Sequence, residues 1–315
     1  MNNLITNIKD VNILICATFH FNHERLKYLK KILSEHRNFG KNVKVYLFTN
    51  TNIKSEIELI KNSYPRYLNT EYQGDYSIEL IICDKLLHPH NLILEHKKIL
   101  KKDFINSKYY THFLHTEDDN LISAENINYW LKYRKILYYK NIIPSFFRFE
   151  FSNVNELKST DIGFKIINYF APKILINDLI FINMPNPSQS NYLVDKKLAK
   201  EMINNPNDRK HHFYFNFGGI RENADIGPIF SNVPKNYISR NFVPFQIKNN
   251  NLLILKECLI NHIPANYLSN QNSNLGKIPI NSLFLKFPFL SLDLLRNIKY
   301  YPLVQMINFL IKIFK

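Results

Sequence analysis

Between Val11 and Asn120, four short apolar runs alternate with amphipathic stretches, and that alternation leaves the chain few architectures. Val11–Thr18, Val43–Thr49, Glu79–Asp84 and Tyr109–Glu117 read as strands. Between them, His23–His36 carries Leu26, Leu29, Ile32 and Leu33 at helical spacing, and Ile53–Asn62 and His90–Lys102 continue the pattern. Strands separated by helices need crossover connections, which make them parallel and cover both faces of their sheet. The expectation is an α/β fold: a mostly parallel sheet flanked by helices, with a Rossmann-like nucleotide-binding half over about 10–123. Beyond it, a helix is expected over Ala124–Tyr139, strands over Ile143–Glu150 and Asp178–Asn183, and a short helix over Leu198–Asn204. With a loop-rich stretch at 206–245, these make up a less regular half over about 124–280.

The fourth run ends in Glu117-Asp118-Asp119. Three adjacent acids repel one another, and at the end of a buried strand they are costly as bare charges. A divalent cation removes that cost, and hard oxygen ligands suit Mg²⁺ or Mn²⁺. In open α/β sheets, ligands bind beyond the carboxyl ends of the strands, which is where these acids fall. The outer carboxylates of an acid-x-acid segment reach the same side. Asp119 is therefore the candidate ligand of a cation bridging two phosphates, with Glu117 assisting through the ribose or a metal-bound water. Position in the fold assigns further nucleotide contacts: Thr18 and His20 in the loop after the first strand, Asp84 at the end of the third, Lys97 or Lys98 on the helix before the acidic strand, and Asp118 within the acidic run. Ordinary surface chemistry explains each of these residues as well. No Gly-rich phosphate loop is present, which counts against a P-loop kinase or a dinucleotide dehydrogenase.

The net charge of +15 favours anionic partners, but the sequence carries no homeodomain, zinc-finger or ribonucleoprotein signature, so nucleic acid is not expected. Cys16, Cys83 and Cys258 are far apart inside apolar runs and read as buried free thiols of a reducing cytoplasm. There is no signal-peptide pattern and no run of about 18 apolar residues that would span a bilayer. The end of the chain, 281–315, turns apolar and aromatic, with Lys286, Arg296, Lys299, Lys312 and Lys315 against Asp293. Such a tail either lies on an anionic membrane surface or packs on the core as a terminal helix.

Taken together, the opening strand Ile13–Thr18, the strand end at Asp84 and the Glu117-Asp118-Asp119 run resemble a nucleotide-sugar-dependent glycosyltransferase of the GT-A fold, whose DxD motif stands where these acids stand. The resemblance covers roughly residues 10–270. It implies a nucleotide-diphosphate sugar donor, Mn²⁺ or Mg²⁺, and Asp119 as the direct ligand. It further implies a histidine near the end of the catalytic domain that completes the metal shell, for which His262 in Asn261–Tyr267 is the candidate. The Arg148-Phe149-Glu150 strand resembles a stretch that follows the acidic motif in some glycosyltransferase-like proteins. An inverting enzyme of this kind needs a carboxylate to deprotonate the acceptor hydroxyl, and Glu222 or Asp225 is the candidate catalytic base.

The expected function is transfer of a sugar to a glycan or lipid-linked acceptor in bacterial surface polysaccharide synthesis, in the cytoplasm and peripheral to the inner face of the membrane. Residues 1–280 would form the catalytic domain. Two alternatives stand beside this. A sugar-phosphate nucleotidyltransferase is disfavoured because Ala17–Glu24 has no glycine; a non-enzymatic basic peripheral membrane protein would make the acids a solvated turn.

Overall fold

A computed structural model describes residues 4–65, 74–162, 172–184, 191–204, 229, 232–237, 239–248 and 251–283. The first part of the chain alternates as expected: β1 (Asn12–Phe19), α1 (Leu26–His36), β2 (Asn42–Thr49), α2 (Lys54–Lys61), β3 (Tyr76–Ile82), α3 (His96–Ile99) and β4 (His112–Glu117). There follow β5 (Asn120–Leu121), α4 (Ala124–Leu137), β6 (Ile143–Pro144), β7 (Phe147–Phe151) and β8 (Leu157–Ser159). The later segments are β9 (Lys173–Ile176), β10 (Leu179–Asn183), β11 (Tyr192–Asp195), α5 (Lys196–Asn204), β12 (Asn241–Lys248), β13 (Asn251–Ile254), β14 (Leu259–His262) and α6 (Asn266–Ser269).

These strands form three sheets in a mixed α/β fold. The first has the order β11-β4-β1-β2-β3, with β1 to β4 parallel and β11 antiparallel on the β4 edge. Strands β1 and β4 are buried almost throughout, β2 alternates between buried and half-buried positions, and edge strand β3 is mostly half-exposed or exposed. Gly40 permits the tight approach into β2, where Lys41 N–H donates to the Val11 carbonyl at 2.7 Å; a Cβ on Gly40 would lie 2.4 Å from that same oxygen. Because β11 returns from the later half of the sequence to pair with β4, the two halves share one hydrophobic core.

The second sheet runs β13-β12-β10-β9, with β6 paired to β12. The third, β5-β14-β7-β8, is small, and it receives the chain directly after the acidic run.

Local periodicity misjudges two segments. The expected strand Ile143–Glu150 is two strands in different sheets: β6 joins β12, and after Ser145 and Phe146 the chain enters β7 beside β14. The expected helix His90–Lys102 is a 3₁₀ stretch, Pro89–Leu94, then the short α3 and a π-helical turn, Leu100–Phe104. Beside Ile93, its buried residues Leu92, His96, Leu100 and Phe104 recur every four positions. That spacing drifts around a regular α-helix, and the wider π turn brings Phe104 back onto the core. From 284 onward, the basic apolar tail lies outside the described residues. Among those described, no helix is long and apolar enough to cross a membrane, and Cys16, Cys83 and Cys258 are free thiols.

Candidate functional site

The strand order reverses at β1: the chain places β2 and β3 on one side of it and β4 on the other. At such a switch point the loops leaving neighbouring strands diverge and open a crevice at their carboxyl ends. Thr18 and Glu117 are register partners at that end. Asp118 and Asp119 form the turn by which the chain leaves the first sheet at β4 and enters the third at β5. The turn is pinned from both sides. Asp118 N–H donates to the Thr18 carbonyl at 3.1 Å, and the Asp119 carbonyl accepts from Ile263 N–H at 2.9 Å. Asn120 pairs with His262, so sheet register sets the histidine beside the acids.

All three acids are buried: Glu117 is 7% exposed, Asp118 3% and Asp119 6%. Arg25, on the 3₁₀ turn His23–Arg25 that opens α1, bridges two of them. Its Nη2 donates to Asp118 Oδ1 at 2.6 Å and to Asp119 Oδ2 at 2.9 Å. Asp118 Oδ2 and Asp119 Oδ1 are buried with no hydrogen-bond partner.

The two aspartates titrate in opposite directions. Burial and the neighbouring Asp119 charge push the Asp118 carboxyl well above its ordinary value, against the pull of Arg25. Burial would raise Asp119 too, but His262, Arg25 and Arg148 outweigh it and bring it down to about 2.

His262 reaches the turn from β14. Its Nε2 lies 3.6 Å from Asp119 Oδ2, and its Nδ1 is 2.6 Å from Glu150 Oε1 on β7. Glu150, completely buried, also accepts from the backbone N–H of Tyr267 and Leu268 at 3.3 and 2.9 Å. Burial lowers the His262 pKa, but Asp119 and Glu150 more than offset this, and the net shift is upward. Arg148, two residues before Glu150, is clamped by Asp161, which accepts from its backbone N–H and its Nε, both at 2.7 Å.

A cavity of about 220 Å³ opens beside the acids, lined by Thr18, His20, Arg25, Glu117 and Asp118, with Pro89, His90, Leu92 and Ile93 forming the facing wall. His20 joins the two walls: its Nε2 is 2.7 Å from the Pro89 carbonyl oxygen. A larger hollow, about 570 Å³, lies at the opposite end of the sheet among Thr111, His112, Asp195 and Lys196, away from the acids.

The structure thus brings together Thr18, His20, Glu117, Asp118, Asp119 and His262. Two assigned contacts stand apart. Asp84 is exposed and accepts from Asn52 Nδ2 at 2.8 Å, while Lys97 and Lys98 are absent from the cavity lining. Glu222 and Asp225 lie outside the described residues.

Sequence reasoning overlooked Arg25, which nothing distinguishes among 41 basic residues. It noticed Glu150 without assigning it a role. The available signal was an acid and an arginine within the aromatic run Phe147–Phe151, where buried charge demands a partner.

The donors fit a hard divalent cation in kind, with orphaned carboxylate oxygens and an imidazole nitrogen beside them. They do not form a closed protein cage, because among the described residues no three His, Cys, Asp or Glu side chains converge closely enough to hold a metal. Magnesium-type sites are commonly completed by one or two carboxylates together with ligand phosphates.

No protein-family model matches the chain, and no curated protein matches it. Among solved structures, a mannosyltransferase from Pyrobaculum calidifontis in complex with GDP-Man and Mn²⁺ aligns with a TM-score of 0.30 and 5% identity, over 42% of this chain. The alignment spans 35% of that structure's chain, and a likeness of this size decides neither fold family nor function.

Proposed function

We propose that the protein is a metal-dependent glycosyltransferase of GT-A type, moving a sugar from a nucleoside-diphosphate donor to a glycan or lipid-linked acceptor. The observation that carries this reading is the buried Asp118-Asp119 turn at the strand-order reversal, with two carboxylate oxygens unpartnered and a cavity alongside. Carboxylates held in this way are costly, and they are retained where a cation and an anionic ligand complete the site.

In this reading Asp119 and Asp118 hold Mn²⁺ or Mg²⁺, and His262 stands at its side. When bound, the ion offsets the negative charge that builds on a departing diphosphate. The chain's own residues supply the rest. Thr18 and Glu117 edge the cavity in which the nucleotide would lie, and His20 fixes the facing loop through the Pro89 carbonyl. Glu150 orients His262 from behind, as carboxylates do for metal-binding histidines. Glu222 or Asp225 remains the proposed base if the reaction inverts the anomeric centre. A role in bacterial surface polysaccharide synthesis, with 281–315 holding the enzyme at an anionic membrane, belongs to the same proposal and rests on the basic composition of the tail.

Isothermal titration with UDP, GDP and CDP, each with and without Mn²⁺, tests this reading. Metal-dependent binding of one of them is expected. If none binds in either condition, the transferase reading is wrong.

A further inference from the structure

Among the described residues, Arg25, Arg134 and Arg148 meet aspartates in buried surroundings, and they do so differently. Arg148 and Asp161 are held by two separate bonds of 2.7 Å, with side chains only 7% and 1% exposed. Arg134 donates through Nε to Asp195 at 2.7 Å and through Nη1 to the Ile142 carbonyl, and its side chain is 2% exposed. Both are bonded through more than one nitrogen, although Arg134 Nη2 is itself buried without an acceptor.

Arg25 is not. Its bonds to Asp118 and Asp119 both leave from one nitrogen, Nη2, and its Nε is buried without an acceptor. Its side chain is 31% exposed and lines the cavity. A guanidinium reaches full strength on carboxylates through parallel, two-nitrogen contacts, and here that geometry is unused. The acids, by contrast, are buried and rigid, pinned through the backbone to Thr18 and Ile263. A pair of carboxylates pinned through its backbone is thus capped by a partly exposed cation held through a single nitrogen. Each aspartate keeps one oxygen with no partner, and His262 Nε2 stands 3.6 Å from Asp119 Oδ2.

We propose that Arg25 is a displaceable counter-cation: it neutralises Asp118 and Asp119 in the metal-free protein, a divalent ion takes over that pair, and the released guanidinium becomes available to phosphate in the cavity it already lines. The inference rests on reading the acids as a metal site. It adds that metal and Arg25 compete for them, so Arg25 weakens metal binding while strengthening the binding of a diphosphate. A divalent ion matches the charge of the Glu117, Asp118 and Asp119 cluster better than a single guanidinium does, and phosphate in the cavity would give the released guanidinium a new anion. No bond to carbon is made or broken; the carboxylate oxygens exchange N–H donors for a metal ion.

The test uses Mn²⁺ alone, without nucleotide, and reads its binding from loss of the free-ion EPR signal. R25A is expected to bind Mn²⁺ on the order of tenfold more tightly than the natural protein, the effect of removing competing charge-assisted hydrogen bonds. R25K, which keeps the charge without the bridging fork, should fall between the two. In the natural protein, Mg²⁺ should shift the Arg25 Nε–H resonance, assigned by its loss in R25K. Mn²⁺ affinity in R25A equal to or below that of the natural protein overturns the proposal. So does an Arg25 resonance that stays still as Mg²⁺ saturates, or failure of both proteins to bind metal. If R25A does not fold, the resonance measurement decides alone. Tighter Mn²⁺ binding without any nucleoside-diphosphate binding would keep this inference and remove the transferase; nucleotide binding with unchanged Mn²⁺ affinity would do the reverse.

Discussion

Glu150 fixes the orientation of His262: its Oε1 lies 2.6 Å from Nδ1, which leaves Nε2 turned toward Asp119. Glu150 is completely buried and serves two backbone amides besides, so its removal strands several buried groups at once. Glu150→Ala should cost roughly 3–5 kcal/mol, the range for removing one partner of a buried charged pair, measured by urea denaturation. Glu150→Gln keeps the shape and an acceptor, and it should lower the His262 pKa, as read by NMR titration, because one of the two carboxylates that raise it is gone.

The same histidine sets a pH trend. A raised folded-state pKa means that protonated His262 stabilises the fold fully below its unfolded value of about 6.5. That contribution is lost as the pH climbs through the higher folded value. His262→Gln should therefore flatten the decline in stability above about pH 6.5. A decline of unchanged steepness in that variant would contradict the assignment.

Asp118 and Asp119 should respond oppositely to neutralisation. The folded Asp119 pKa, about 2, is depressed, so its stabilisation is present above the unfolded value and vanishes as the pH falls through about 2. Asp119→Asn should lower the neutral-pH melting temperature. Asp118 is raised, so its ionisation opposes folding as the pH rises from the unfolded value through the folded one. Asp118→Asn should raise the neutral-pH melting temperature while weakening metal-dependent nucleotide binding. Scanning calorimetry on the pair checks both signs.

Asn126 ties α4 to the strand that carries His262. Its Nδ2 donates to the carbonyls of Glu257 and Leu259 at 2.8 and 3.0 Å, and its Oδ1 accepts from Ser123 N–H at 2.8 Å to cap the helix. Asn126→Ala should cost about 2–3 kcal/mol, from buried acceptors left unpaired and a lost cap. A chemical denaturation midpoint equal to that of the natural protein would refute this.

The His20 contact with Pro89 predicts a local effect instead. His20→Ala should accelerate amide hydrogen exchange in 88–93 with little change in global stability, because the bond joins two loops rather than core elements.

The parallel strands β1 to β4 were readable from sequence because each is a largely apolar run set between helices, most completely in β1, which is buried on both faces. The break after Pro144 was not. Ile143–Glu150 is apolar and aromatic apart from Ser145 and its two charges, and only the identities of its partners, β12 and β14, divide it between sheets. Those partners lie about a hundred residues downstream, where local periodicity has no reach. The acids were visible because charge is conspicuous at the end of a buried strand. Arg25 was hidden for the opposite reason: in a chain of net charge +15, one more cation carries no information until its neighbours are known.

The pairing of Asn120 with His262 has a kinetic meaning as well. The acids and their histidine come together only when a loop of well over a hundred residues has closed, and such distant pairings tend to form late because their entropic cost precedes their reward. A nascent chain could therefore complete β1 to β4 and still lack half of its site. Competence to bind would arrive with β14 and not with the first sheet.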